Sequence, residues 1–356
     1  MKKKVIVVFI LLIGVLPAYY FAPYYPDFFT EIYHQKWYVQ LDKVLGWFTN
    51  TVSFSVGDVL YALVIIFLVY QTVVYIRMKK FKSLALFIAT ATLLFFGLFQ
   101  LFWGFNNYKY SVFHQLTLDK TYSEKELENQ TYALLQVVNE QHIQLTNNRD
   151  QKVIIEKDLN RFNITAKQNY NRLPNHLQNV LITNAINDVK PSLFSKVQSY
   201  MGFSGYFNPF THENQVNIEI PTIGMPITVA HEMAHQLGIA SETEANFFGY
   251  MVMLQSDDLA FQYAANLYAL KYCLKQYRNQ NEETYQLLFN LLTPGVQQNI
   301  ADTEQFWQSK RNVSSFFFKH LYGRFLKINN QKEGIQSYNR FVGLLINYNK
   351  KFHPID

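Results

Sequence analysis

Two uninterrupted apolar stretches constrain this chain more than any other feature. Val59 to Ile76 and Leu84 to Gly104 contain no charged residue, and each is close to the ~20 residues a helix needs to cross a hydrocarbon layer. Neither has a polar face, so neither reads as an amphipathic helix laid on a soluble core. Between them, Arg77-Met78-Lys79-Lys80-Phe81-Lys82 supplies four basic side chains in six residues. A third apolar run, Val5 to Ala22, follows Lys2-Lys3-Lys4 and ends among Tyr19, Tyr20, Phe21, Tyr24 and Tyr25, as an interfacial aromatic belt does. It lacks the small-x-small cleavage site of a signal peptide. Three transmembrane helices are expected, about 5–22, 59–76 and 84–104. The bias of basic residues places the N-terminus and the 77–82 loop in the cytoplasm, with the 23–57 loop and everything after Trp103 outside.

The rest of the composition follows from those runs. The 356 residues are 49% hydrophobic, 17% aromatic and only 16% charged. The net charge of +6 does not point to nucleic acid, because the basic residues are scattered or flank apolar segments and no nucleic-acid-binding signature is present. Cys273 is the single cysteine, which excludes an internal disulfide. Spans without an ionisable residue or an internal repeat are poorly suited to a transporter.

From residue 106 the composition becomes that of an ordinary folded domain, which divides the chain into an anchor, 1–105, and a domain, 106–356. Ser123 with Glu126 reads as a capping box opening a helix to about Asn147, and further helical patterns run near 155–170 and 174–187. Lys196 to Phe207 and Gln215 to Ile220 read as two strands around a turn, with Val216 to Glu219 a candidate edge for extended substrate. After Asn246 the pattern is helical, to about Leu254, from Asp257 to Gln276, and on to Lys350. The expected fold is a helical anchor followed by a mainly helical α+β domain with a small hairpin or sheet.

One stretch of the domain carries dense chemistry, Thr228-Val229-Ala230-His231-Glu232-Met233-Ala234-His235-Gln236-Leu237-Gly238. Pro226 suits a first helical turn and Gly238 a helix end. On a helix, His231 and His235 lie one turn apart on one face, where both imidazoles reach a single zinc ion, and Glu232 stands beside them as a general base. This is the HExxH signature of zinc peptidases. A third ligand is expected from Ser241-Glu242-Thr243-Glu244-Ala245-Asn246. Ser241 and Glu244 have capping-box spacing, which would commit Glu244 to the helix start and leave Glu242 as the ligand. Asn246, four residues after Glu242, is placed to hydrogen-bond a ligating His. His212 and Tyr338, polar groups in apolar surroundings, are read as structural.

The run from Glu242 to Asn246 resembles the Glu-x-x-x-Asp element of gluzincin metallopeptidases, with Asn at the last position. The short spacing from His235 is similar to the compact HExxHxxG turn of metzincins, with Ser241 at their third-His position, and the two resemblances are not separated. A broader one rests on Phe54-Ser55-Val56-Gly57-Asp58, Trp103 to Tyr108, Gly205 to Thr211, His231 to Asn246, Phe325-Leu326-Lys327 and Gly334 to Tyr338. These resemble a bacterial membrane family, domain of unknown function 3810. That resemblance implies a zincin-like domain anchored in the cytoplasmic membrane, and it implies no substrate.

The expected function is that of a membrane-anchored zinc metallopeptidase, cleaving peptide or cell-wall amide bonds outside the cytoplasm, with peptide or protein substrates and the lipid bilayer as partners. The alternative is a non-catalytic membrane scaffold whose zinc is structural, closed by a fourth ligand such as Glu244 or His212.

Overall fold

The computed structural model describes residues 14–182, 184–329 and 338–353. Residues 14–21 are helical, and 5–13 of the expected first span lie outside the described residues. A π-helical stretch, Phe29–Tyr38, runs into α1, Val39–Thr49. Then come α2, Val56–Arg77, and α3, Phe81–Phe102, packed against each other as a hairpin. Among the described residues two helices, not three, are long and apolar enough to cross a membrane. At 22 residues each they are ~33 Å long. In the most apolar part of α2 nothing is buried, and in that of α3 only 17% is. The Ser55 hydroxyl caps α2 by accepting the Asp58 N–H at 3.0 Å.

The domain begins with α4, Glu124–Thr146, whose capping box forms in both halves and whose C-cap Asn147 is left-handed. It continues with α5, Leu159–Tyr170. The helix expected over 174–187 shrinks to Asn175–Gln178. Beyond it tertiary partners take over: the Asn187 N–H donates to Gln236 Oε1 at 2.9 Å, and Asn184 donates to the Val39 carbonyl at 2.9 Å.

Next come β1, Val189–Pro191, α6, Ser195–Met201, β2, Gly205–Asn208, and β3, Glu213–Val216. The strand expected over 196–207 is therefore a helix in its first half, ended by Gly202 at φ +85°. The sheet order is β1-β3-β2, with β1 parallel to β3 (Val189 opposite Asn214) and β2 antiparallel to it (Gly205 opposite Val216). Because β3 is central, Val216 to Glu219 offers no free substrate edge. The Val216 carbonyl accepts the Ser192 N–H at 2.9 Å, and the Asn217 N–H donates to the Ser204 carbonyl at 2.9 Å. The edge strands are β1 and β2.

Helices complete the chain: α7, Met225–Gln236; α8, Glu242–Leu254; α9, Leu259–Gln280; α10, Glu282–Asn290; α11, Pro294–Ser309; α12, Val313–Ile328; and α13, Tyr338–Phe352. The core is built around α7, which packs against α5, α8, β2 and β3. Val229, Ala230, Met233 and Ala234 are fully buried.

The hairpin is tied into this core at its domain end. The Glu213 carboxylate on β3 accepts the Val56 and Gly57 N–H groups of α2 at 3.1 and 2.6 Å and pairs with Lys190 at 2.7 Å. The Tyr38 hydroxyl donates to the Gln236 carbonyl at 2.9 Å, and Asp42 accepts from His212, Gln236 and Asn184. The turn holding Lys79 and Lys80 lies at the opposite end of the hairpin, a helix length away.

Candidate metal centre

Local chemistry puts the HExxH residues on one helix. Pro226 sits in the first turn of α7, where its missing N–H costs no bond. Gly238, at φ +84°, turns the chain sharply after the last residue. A Cβ at Gly238 would lie 2.3 Å from His34 Cε1, so both the conformation and the space require glycine. The reversal brings α8 back across α7, and Gly249 allows the close approach: a Cβ there would be 3.0 Å from the Ile227 carbonyl and 3.4 Å from the His231 nitrogen.

Three groups then converge. His231 Nε2 and His235 Nε2 are 3.0 Å apart, and the Glu242 carboxylate reaches them at 3.4 and 3.7 Å. Tetrahedral N and O donors around an ion at 2.0–2.1 Å stand ~3.3 Å from one another; the three groups form a triangle near that size, which the carboxylate enters through both oxygens, Oε2 toward His231 and Oε1 toward His235. The tautomer fits as well. His235 Nδ1 faces the Ile239 carbonyl at 2.6 Å, which fixes its proton there and leaves the Nε2 lone pair directed at the triangle. Asn246 hydrogen-bonds His231. The Asn246 amide is itself held by the Tyr268 and Tyr272 hydroxyls at 2.7 and 3.3 Å.

Glu232 also comes within 4.8 Å of both His residues, yet its situation differs from that of Glu242. It is 3% exposed, and its Oε2 meets no hydrogen-bond partner among the described residues. Burial pushes its pKa up to about 8, with the Glu242 charge adding to the effect and His231 opposing it. For Glu242 burial acts upward, but the hydrogen bond and charge of His231, the charge of His235 and the Tyr322 hydroxyl outweigh it and hold the carboxyl at about 2. Burial lowers His235 to about 4. His231 ends raised, because Glu242 and Glu232 overcome its burial. Of the two carboxylates, Glu242 is thus the charged donor facing both imidazoles, and Glu232 the unpartnered one beside them. A solvent path exists, since His231 and Glu242 keep 13% and 26% of their side-chain surface.

The spacing argument for choosing Glu242 needs correction. Ser241 makes no side-chain cap. Glu244 is occupied elsewhere, accepting the Val112 N–H at 2.7 Å. His212 is likewise engaged, its ring nitrogens facing Asp42 Oδ1 at 3.0 Å and the Phe102 carbonyl at 3.2 Å. Tyr338 opens α13, and its side chain lies outside the described residues.

Three participants were not legible in the motif. The Tyr322 hydroxyl of α12 donates to Glu242 Oε1 at 2.6 Å. Trp103, the residue after α3, sets its ring edge-on to His235 at 5.8 Å. Gly205 of β2 packs on Glu232: a Cβ there would be 2.6 Å from Glu232 Oε1. Only the glycine, in a strand otherwise lined by larger side chains, carried a sequence signal.

The family model described as "Protein of unknown function (DUF3810)" matches residues 33–346. No curated protein and no solved structure matches the chain.

Proposed function

We propose that this chain, which belongs to the DUF3810 family, is a membrane-anchored zinc hydrolase of peptide bonds. In this reading His231, His235 and Glu242 hold the ion and Glu232 is the general base. The observation that carries the proposal is the convergence of His231 Nε2, His235 Nε2 and the two Glu242 carboxylate oxygens at 3.0 to 3.7 Å, with a second buried carboxylate beside them whose Oε2 meets no partner among the described residues. A purely structural site has no use for that second carboxylate, and Glu244 and His212, which would close such a site, are bonded elsewhere. Zinc held by these residues supplies Lewis acidity toward the scissile carbonyl and lowers the pKa of a coordinated water to ~7.

The remaining roles belong to the chain. Glu232, held against Gly205, accepts the proton of the attacking water and returns it to the leaving amine. Tyr322 orients Glu242 through its hydroxyl. Trp103 covers one side of His235 and limits the access of bulk water. The edge strand β2 offers backbone for an extended peptide next to the base. With α2 and α3 as membrane spans, the positive-inside rule places the turn holding Lys79 and Lys80 in the cytoplasm and the domain outside.

Glu232→Gln tests the proposal, because it removes the base while preserving size, helix and ligands. The variant keeps about one zinc per chain by metal analysis and loses roughly 10²-fold or more in peptide turnover. A zinc-loaded wild type that cleaves nothing across a broad peptide and peptidoglycan-fragment library, with a metal shell closed by four protein atoms, would establish a structural site instead.

A further inference from the structure

The site stands immediately above the apolar hairpin. Phe102 is the last residue of α3 and Trp103, next in the chain, already touches His235. The turn between β2 and β3 lowers Phe210 between the two apolar helices, where its ring meets those of Tyr61 and Phe95 at 6.2 and 5.3 Å. No spacer separates the ends of the candidate spans from the metal ligands.

Helix α12 extends this relation. From the Tyr322 hydroxyl on Glu242 it descends onto the top of α3, where Phe325 packs edge-on against Phe99 at 5.1 Å and Asn329 accepts from Gln100 at 2.7 Å. The Tyr19 hydroxyl reaches the Ile328 carbonyl. Its other face is bare: Val313, Phe316 and Phe317 are 87%, 76% and 60% exposed, and Leu321 and Ile328 are more than half exposed. Lys319, Arg324 and Lys327 are exposed as well, and the helix contains no acidic residue. An exposed helix face in which apolar side chains alternate with His320, Arg324 and Lys327, on a helix that ends against the top of an apolar hairpin, has the chemistry of a helix lying in a bilayer interface with anionic headgroups. A protein partner would leave unexplained why α12 ends against the domain-side end of the apolar hairpin.

We propose that α12 lies in the interface of the domain-side leaflet and roofs the site there, so that the site takes its substrate at the membrane surface, as the exposed segment of a membrane-tethered polypeptide. The substrate class rests on the hydrolytic reading above. The placement of α12 does not.

The test uses the full chain in nanodiscs of phosphatidylethanolamine and phosphatidylglycerol. A spin label on Phe317→Cys is expected to collide more with oxygen than with an aqueous nickel chelate, and a label on Tyr132→Cys, on exposed α4, to do the reverse. Identical behaviour at the two positions overturns the placement. A mixed-sequence fluorogenic peptide library is then presented free and with a palmitoyl chain. The tethered library is expected to be cleaved at least ~10-fold faster, a ratio that Phe316→Glu with Phe317→Glu abolishes without changing the rate on free peptides or the zinc content. Simple concentration at the surface would survive that double variant, and equal rates in the wild type overturn the substrate class alone. If neither library is cleaved by the zinc-loaded wild type, the hydrolytic reading falls and takes the substrate class with it, and the label still decides where α12 lies.

Discussion

Glu242 and Glu244 are two residues apart on one helix, and tertiary contacts give them different work. Glu242 faces His231 and His235, whereas Glu244 satisfies the Val112 N–H. Glu242→Gln is therefore expected to lose most of the metal, since an amide oxygen is a weaker donor than a carboxylate. Glu244→Gln keeps the metal but weakens the fold by about 1 kcal/mol, the difference between a hydrogen bond to a charged acceptor and one to the neutral amide that replaces it. Metal analysis beside a denaturant titration separates the two effects. Gly205 makes a second residue-scale prediction. In Gly205→Ala the new methyl would sit 2.6 Å from Glu232 Oε1 and 2.7 Å from the Gln215 carbonyl, and the latter is backbone that yields little. The variant is expected to bind metal normally, to lose about 1–3 kcal/mol of stability to overpacking, and to lose turnover because its base is displaced. Wild-type turnover in that variant would mean that β2 does not position Glu232.

Among the elements, those legible in sequence were the ones whose determinants are local. The capping box of α4, the proline and glycine bounding α7 and the unbroken apolarity of α2 and α3 each act within one stretch of chain. The failures lay where distant partners decided. The helix expected over 174–187 stops at Gln178, with Asn187 and Asn184 bonded to Gln236 and Val39 instead, and half of an expected strand became α6. The joint between β3 and α2 gives a prediction at this scale. Lys190 and Glu213 are 8% and 1% exposed in side chain, and the Glu213 carboxylate also receives the first N–H groups of α2. Glu213→Gln leaves a buried ammonium without its counter-charge, an expected loss of about 3–5 kcal/mol. Glu213→Gln with Lys190→Met removes the orphaned charge, and its thermal midpoint in detergent is expected to lie above that of the single variant.

At the level of the whole molecule, His34 couples the segment before the hairpin to the turn at Gly238. It is 3% exposed, its Nδ1 faces Asn106 Oδ1 at 2.9 Å, and Lys109 approaches its Nε2 at 3.2 Å. Burial first, and the Lys109 charge second, lower its pKa from 6.5 to about 3. Because the folded value lies below the unfolded one, the unfolded chain binds the extra proton between them. The contribution of neutral His34 is complete above about pH 6.5 and is lost as the pH falls toward about 3. His34→Gln is expected to remove one proton's worth of slope from denaturation midpoints followed over that range, and an unchanged slope would show that His34 does not carry it.

The sequence by itself determined the two apolar helices, the one-turn spacing of His231 and His235 on a helix and the end of that helix at Gly238, because helix periodicity, proline and left-handed glycine act over a few residues. Only the tertiary structure decided that Glu242 rather than Glu244 meets the imidazoles, that β2 and not β3 is the edge beside Glu232, and that Tyr322 and Trp103 close the site from opposite parts of the chain. Those choices depend on which buried groups find partners. Tyr322 lies 80 residues beyond Glu242 and Trp103 lies 132 before His235, separations at which no local pattern in a chain records the contact.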